Sequence, residues 1–201
     1  MTILVTPHTS GRHTVTWLVA IAVVLASSHA WAQPANRSEW QRGTTLGGFA
    51  GISAADGRMP ALGTALGWEI HPNLTVDGRG LWMTTDPGND FYAALNALVT
   101  LRPLGNIVPF ALAGVGMYRA TVDAASGAVP EFYERRLNGR TRASFEDVAL
   151  PLGGGANVFI TPHLAIRPEV SVVLVRSGGT TRTVGLHGVH VAYHFAPHTT
   201  R

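Results

Sequence analysis

The fold is decided by the last apolar run of the chain, Thr183-Val-Gly-Leu-His-Gly-Val-His-Val-Ala-Tyr-His-Phe195. Side chains of a β-strand point alternately to its two faces. One face of this run is apolar and ends in two aromatic rings; it holds Val189, Val191, Tyr193 and Phe195. The other face is small or polar and holds Gly188, His190, Ala192 and His194. Such alternation suits the wall of a membrane barrel and also a strand of a soluble sandwich, so the other runs have to distinguish the two.

The beginning of the chain predicts export. Residues 1–32 contain no acid and one arginine, Arg12, followed by an apolar run over 16–26 and by Ala30-Trp-Ala32. A basic start, an apolar core and an A-x-A site are the parts of a cleavable signal peptide. An uncleaved membrane anchor is the alternative, although the apolar run is shorter than the roughly 20 residues that span a bilayer. We therefore expect a signal peptide over 1–32 and a periplasmic lead-in over 33–43.

Composition excludes several classes of chemistry. The chain has no cysteine, which excludes disulfides, thiolate catalysis and zinc–thiolate sites. Its 15 cationic side chains are all arginine and stand against 12 acids, which gives a formal net charge of +3. No basic run interleaves with aromatic residues, so the sequence predicts no nucleic-acid partner.

Short apolar runs separated by turn residues fill the rest of the chain. The eight runs cover 45–53, 61–70, 74–82, 91–102, 107–118, 148–160, 164–174 and 183–195. Each has about ten residues, the length of a strand that crosses a bilayer at a tilt. We predict an all-β fold, an eight-stranded antiparallel up-and-down transmembrane β-barrel over 44–195, with a C-terminal extension over 196–201.

The connections between the runs support this topology. Tight turns are predicted at 71–73, 103–106 and 161–163, whereas the other connections look like loops, the longest of them over 120–146. Short periplasmic turns and longer outer loops are typical of outer-membrane barrels. An even number of strands also returns both termini to the periplasm.

Charged residues on the small, polar faces predict an ionic network inside the barrel. Three acids and three bases lie there: Glu69, Asp77, Arg79, Arg102, Arg167 and Glu169. Balanced charges can pair within a narrow interior, and eight strands leave room for side chains but not for an aqueous channel. We therefore predict that this network fills the barrel; a narrow channel for small solutes is the alternative.

Three segments carry a resemblance to a known family: 109–118 with a Pro-Phe start and Gly-x-Gly, 153–169 with a Gly-rich strand and Arg-x-Glu, and the closing 191–195. The chain resembles the small outer-membrane β-barrel proteins of the OmpA-transmembrane-domain and OmpX type. The resemblance implies a bacterial outer-membrane location, contact with membrane lipid and lipopolysaccharide, and insertion by the outer-membrane assembly machinery. Tyr193 and Phe195 would form the terminal insertion signal, although six residues follow the usually terminal Phe. We expect a monomer.

The histidines of the last run do not predict a metal site. His187 faces away from His190 and His194, which lie about 13 Å apart along a strand. Metal–ligand bonds of about 2 Å cannot join residues so far apart. We also predict no cofactor and no catalytic residue, because the mature chain lacks a His-x-Ser pairing like that of the lipid A deacylase barrels. A lipid A-modifying enzyme is the alternative from another class. Outer-loop acids such as Asp86, Asp90 and Asp123 could form its hydrolytic pair, but solvated loop charges explain these acids more simply.

The 120–146 segment is the best candidate for specific function. Its arginines could contact lipopolysaccharide phosphates or another anionic surface ligand, since guanidinium pairs well with phosphate. These candidates are Arg135, Arg136, Arg140 and Arg142. The sequence thus predicts a non-catalytic outer-membrane barrel with a structural or surface-interaction role in adhesion or envelope integrity. A soluble periplasmic barrel that binds lipid inside is the alternative at the level of fold.

Overall fold

The computed structural model describes residues 43–54, 58–71, 73–85, 88–125, 129–177 and 179–195. The predicted signal peptide over 1–32, nearly all of the lead-in and the extension over 196–201 lie outside these residues. Within them, no helix is both long enough and apolar enough to cross a membrane.

Eight antiparallel strands form one closed barrel in sequence order, as predicted. They are β1 (Thr44–Ala54), β2 (Arg58–His71), β3 (Leu74–Thr85), β4 (Gly88–Thr100), β5 (Ile107–Asp123), β6 (Arg142–Thr161), β7 (Leu164–Ser177) and β8 (Thr180–His194). A short helix, α1 (Glu131–Leu137), lies between β5 and β6. The final strand β8 closes the barrel against β1, with Thr45 opposite His194 and Ala54 opposite Gly185.

Most strands are longer than the ten residues expected from their apolar runs. Strand β5 has 17 residues and β6 has 20, because both continue through polar sequence beyond the apolar wall. Ladder hydrogen bonds join backbone groups, so polar side chains do not end them. Thr121 and Ser144 even share a side-chain hydrogen bond of 3.2 Å across this extension.

The longer strands correct the predicted loops. The segment expected over 120–146 shrinks to 124–141 and contains α1. The connections 55–57, 86–87 and 178–179 have three, two and two residues, against two at 72–73 and 162–163 and six at 101–106. The predicted alternation of long and short connections is therefore wrong for three of the four connections on the side of α1. We call the end of the barrel that carries α1 the outer end, and the end that carries Thr44 and His194 the inner end.

Alternation along each strand separates an exposed apolar wall from a filled interior. Leu62, Leu95, Val115 and Val191 on the wall are each more than half exposed. Inward positions are buried, and small residues there make room for large ones. A Cβ added at Gly188 would lie 2.4 Å from the ring of Phe49, so this inward position accommodates the ring only as glycine.

Candidate functional site

Ion pairs cross the inner half of the barrel interior. Arg79 on β3 reaches Glu169 on β7 through two hydrogen bonds, of 2.5 and 3.3 Å. The same guanidinium donates from Nε to Asp77 Oδ1 at 2.9 Å. Arg167 on β7 lies 3.4 Å from the other oxygen of Asp77. A bidentate guanidinium–carboxylate pair has a fixed planar geometry, which ties opposite walls of the barrel together.

Two further residues join these four. His190 on β8 is fully buried, and its Nε2 lies 3.4 Å from Glu169 Oε2. Asn96 on β4 donates to Asp77 Oδ1 at 3.1 Å. We call Asp77, Arg79, Arg167, Glu169 and His190 the ion cluster. Its two acids and two arginines balance, which is what allows charges to remain ionised away from water.

The structure places the other two predicted network residues elsewhere. Glu69 lies at the inner end, in a narrow vestibule whose lining also includes Thr100, Asn157 and Arg167. Arg102 is exposed in the 101–106 connection, after the end of β4, so its assignment to the interior is wrong. Pro103 follows it and has no N–H to continue the ladder, which explains why the strand does not extend through Arg102.

The histidines of β8 follow the alternation expected of them. His190 and His194 point inward and are buried, whereas His187 is exposed on the wall. The ring of His194 packs at 4.9 Å against Phe159 beside the vestibule. Among the described residues, no group of three or more His, Cys, Asp or Glu could hold a metal ion.

The outer half of the interior is filled mainly by apolar side chains, with fewer charged residues than the inner half. Leu81, Met83, Tyr92, Val173 and Val184 are all at most 1% exposed there and belong to one continuous hydrophobic cluster. We call this set, with the other residues packed against it, the outer apolar cluster. Polar side chains lie among it as separate pairs, such as Tyr118 with Asp90 and Arg182 with Tyr133, but most of its contacts are apolar packing.

Helix α1 covers the outer apolar cluster. Tyr133 and Leu137 lie one turn apart on α1, and both are buried against the cluster. The ring of Tyr133 stacks on Phe145 of β6 at 5.2 Å, and its hydroxyl accepts a hydrogen bond of 3.2 Å from Arg182 of β8. Burial raises the pKa of Tyr133 to about 12, so its hydroxyl is neutral at ordinary pH.

A half-buried ion pair helps to hold α1 on the barrel. Arg136 on α1 donates to Asp147 on β6 at 2.8 Å, and the Asp147 side chain is only 3% exposed. The same guanidinium lies 4.4 Å above the ring of Phe145. Arg136 was predicted to bind a surface ligand; the structure instead engages it within the protein, because it lies on the side of α1 that carries Tyr133 and Leu137.

The other predicted surface arginines are exposed. Arg135 lies on α1 and Arg140 follows it, and both are exposed at the outer end of the barrel. Arg142 is also exposed, but it is the first residue of β6 and lies opposite Asp123 rather than within the loop. We call Arg135 and Arg140 the loop arginines.

Sequence reasoning missed several of these interior residues. Tyr133 and Leu137 have the i, i+4 spacing of a buried helix face, which was the available signal for α1. Asp90 was taken for a solvated loop acid, yet it is buried on β4 and accepts a hydrogen bond from Tyr118. Its inward position follows from the alternation of β4 once that strand is extended back to Gly88.

The predicted insertion signal lies on the outside of the barrel near its inner end. Tyr193 and Phe195 are each about half exposed, and their rings meet edge to face at 5.1 Å. This places two aromatic rings where an outer-membrane barrel has its inner aromatic girdle. Their role in assembly stays a prediction.

Comparisons with known proteins agree with this architecture. The profile of the family described as "Outer membrane protein beta-barrel domain" matches residues 18–195. The crystal structure of Neisserial surface protein A (NspA) superposes with a TM-score of 0.57 at 12% identity, covering 76% of this chain and 96% of that one. The N-terminal β-barrel domain of Pseudomonas aeruginosa OprF gives 0.54 at 13% identity, covering 77% and 100%.

No curated protein sequence matches the chain significantly. The two solved structures share its fold at low identity, and the family profile covers nearly the whole barrel. The resemblance to small outer-membrane barrels is therefore confirmed, and so is the bacterial outer membrane as the location. This chain belongs to the outer membrane protein beta-barrel domain family.

Proposed function

We propose that the protein is a non-catalytic, non-conducting outer-membrane barrel that acts through its structure and its exposed outer end. The observation that supports this proposal is that two separate sets of contacts fill the interior. The ion pair between Arg79 and Glu169 crosses the inner half, and α1 covers the outer half with Tyr133 and Leu137. A solute would have to separate both sets of contacts to pass.

The chemistry of the interior favours a structural role over catalysis. Covalent or hydrolytic catalysis needs a nucleophile or an activated water beside an oriented base. In the ion cluster, Asp77 and Glu169 instead bond to arginine side chains on the strands around them. Carboxylates that are paired with arginines stabilise the closed barrel. They have little freedom to act on a substrate.

The outer end supplies the surface for interaction. The loop arginines are exposed on a segment that a half-buried ion pair, Arg136–Asp147, helps to hold in place. A preorganised cationic surface loses less conformational entropy on binding than a free loop would. We propose that Arg135 and Arg140 bind anionic polymers outside the cell, which gives the protein an adhesive or envelope-stabilising role.

Binding of the refolded barrel to immobilised dextran sulfate tests this function. Arg135→Gln with Arg140→Gln should weaken retention at low salt, since each removes an exposed positive charge. The matched control is Glu131→Gln with Glu134→Gln on the same helix, which should strengthen retention or leave it unchanged. Equal retention of the arginine variant and the unsubstituted barrel would exclude the loop as the interaction surface.

A further inference from the structure

Two arginines face the lipid side of the barrel wall at the outer edge of its apolar belt. Arg119 points outward from β5, and Arg176 points outward from β7. Strand β6 lies between them, and their partners on it, Glu146 and Val148, are two residues apart, so their backbones are about 12 Å apart at the usual strand spacing and rise. We call these two residues the wall arginines; they lie on the barrel itself, not on α1.

The register places Arg119 near the outer aromatic residues of the wall and further out than Trp82, because a row of paired residues climbs toward the outer end around strands tilted by about 35–45°. Across the strands, Trp82 on β3 lies opposite Phe91 on β4, and Phe91 lies opposite Arg119 on β5. Trp82 is 54% exposed on the wall. Aromatic girdles on the outside of such barrels mark the level of lipid head groups. A guanidinium in this row therefore meets the polar part of the outer leaflet.

Apolar side chains continue the wall directly below both arginines. Met117 precedes Arg119 on the same face of β5 and lies opposite Val148 of β6. Val148 in turn lies opposite Arg176, and Leu174 is the next outward residue on β7 below that arginine. The surface is thus cationic at the head-group level and apolar where acyl chains begin, which complements an anionic amphiphile.

Neither wall arginine is held firmly by a neighbour. The contact of Arg119 with Glu146 is 3.8 Å long, and both side chains are more than half exposed. An exposed ion pair of this kind contributes little to stability and exchanges readily for a better partner. Arg176 has the uncharged Val148 and Thr181 as its cross-strand neighbours. Guanidinium binds phosphate more strongly, because it can offer two parallel N–H donors.

We propose that Arg119 and Arg176 form a binding site for the phosphate groups of lipid A on the outer wall of the barrel, with the acyl chains lying along Met117, Val148 and Leu174. This site adds a lipid ligand to the proposed surface role. The proposal depends on the outer-membrane location of the barrel and does not depend on the loop arginines. The loop arginines lie on a different segment of the outer end, on and directly after α1.

Native mass spectrometry of the refolded barrel with added lipid A tests the site. In buffer with a metal chelator, the unsubstituted barrel should bind bisphosphorylated lipid A more tightly than enzymatically dephosphorylated lipid A. Arg119→Gln with Arg176→Gln should weaken binding of the phosphorylated form about tenfold, since two charge-assisted contacts are lost. Heat-modifiable mobility on a gel confirms that the variant is folded.

Two matched variants make the result decisive. Glu146→Gln removes the competing carboxylate and should tighten binding, a gain that misfolding cannot produce. Arg135→Gln with Arg140→Gln should leave lipid A binding unchanged even if it abolishes dextran sulfate binding, which separates this site from the loop surface. The proposal is overturned if the Arg119/Arg176 variant binds like the unsubstituted barrel, if the two forms of lipid A bind equally, or if Glu146→Gln weakens binding.

Discussion

In the inner half of the barrel interior, Arg79 on β3 reaches across to Glu169 on β7, whereas in the outer half a residue from outside the barrel wall, Tyr133 of α1, is inserted among apolar side chains. The inner half is closed by strand residues that bond one another. The outer half is closed by a loop element that packs on the strands. The two halves therefore depend on different forces and on different parts of the chain.

Because of this difference, one half of the interior can be altered more easily than the other while the barrel stays folded. The ion cluster lies on strands β3, β7 and β8, which cannot move without breaking the ladder. Helix α1 is attached by side chains such as Tyr133, Leu137 and Arg136, which contact the strands without belonging to the ladder, so we expect that it can be detached while the barrel stays intact. Substitutions should therefore be tolerated at the outer end of the interior and should destabilise the barrel at the inner end.

The largest effect is expected from Glu169→Ala. It leaves Arg79 without its bidentate partner in a site where both side chains are at most 3% exposed. Breaking a buried ion pair by removing one partner typically costs about 3–5 kcal/mol. Urea unfolding of the barrel in lipid vesicles should show a loss of this size.

The double replacement Arg79→Met with Glu169→Leu is the control for that loss. It removes the pair together and leaves Asp77 balanced by Arg167. Replacing a buried pair by apolar residues is often close to neutral, so most of the stability should return. Equal destabilisation in the single and double variants would mean that shape, not charge, closes the inner half.

The next largest effect is expected from Tyr133→Ala. Removing a buried aromatic side chain costs about 3–5 kcal/mol in a core, and somewhat less where the site can relax. Here the loss should fall on the docking of α1 alone. Hydrogen exchange should become fast over Glu131–Leu137 while the strands remain protected; loss of protection throughout the barrel would contradict the separation of the two halves.

A smaller effect is expected from Tyr133→Phe, which keeps the stacking on Phe145 and removes the hydrogen bond from Arg182. A hydrogen bond of this kind contributes about 1 kcal/mol. The exchange rate over α1 should therefore rise only moderately. A rate equal to that of Tyr133→Ala would assign the docking to the hydroxyl instead of the ring.

The smallest and most selective effect concerns pH. Burial raises the pKa of Tyr133 from 10.0 in the undocked state to about 12 when α1 is docked. The docked form thus binds the proton more tightly, so docking is at full strength below pH 10 and weakens as the pH rises from 10 to 12. The protection factor over α1, which removes the base-catalysed rise of intrinsic amide exchange, should fall in this range, whereas the protection factor of the Tyr133→Phe variant should stay constant.

The sequence was sufficient to predict which residues form the wall and many of those that fill the inner half of the interior. Alternation with period two assigns each strand residue to one face, and it placed Asp77, Arg79, Arg167 and Glu169 inside, where they lie together. Their partners across the barrel were not predictable, because contacts between β3 and β7 depend on how far the strands are staggered around the barrel.

Most of the packing in the outer half of the interior could not be predicted from the sequence. Helix α1 has seven residues, too few for a helical period to stand out in a charged segment. Arg136 looks like its neighbour Arg135 in the sequence, and only the packing of Tyr133 decides which of the two turns inward. The error at Arg102 has a different origin, because the alternation of β4 was continued up to Pro103, whereas the strand ends at Thr100.

The claim that two layers close the barrel is tested most directly by planar-bilayer conductance of the purified protein with and without α1. We predict no stable conductance steps from the full protein, and none from a variant in which 126–140 is replaced by a short Gly-Ser linker, because the ion cluster still crosses the interior. Steps from the full protein would contradict the closed barrel. Steps only from the shortened variant would show that α1 alone closes it.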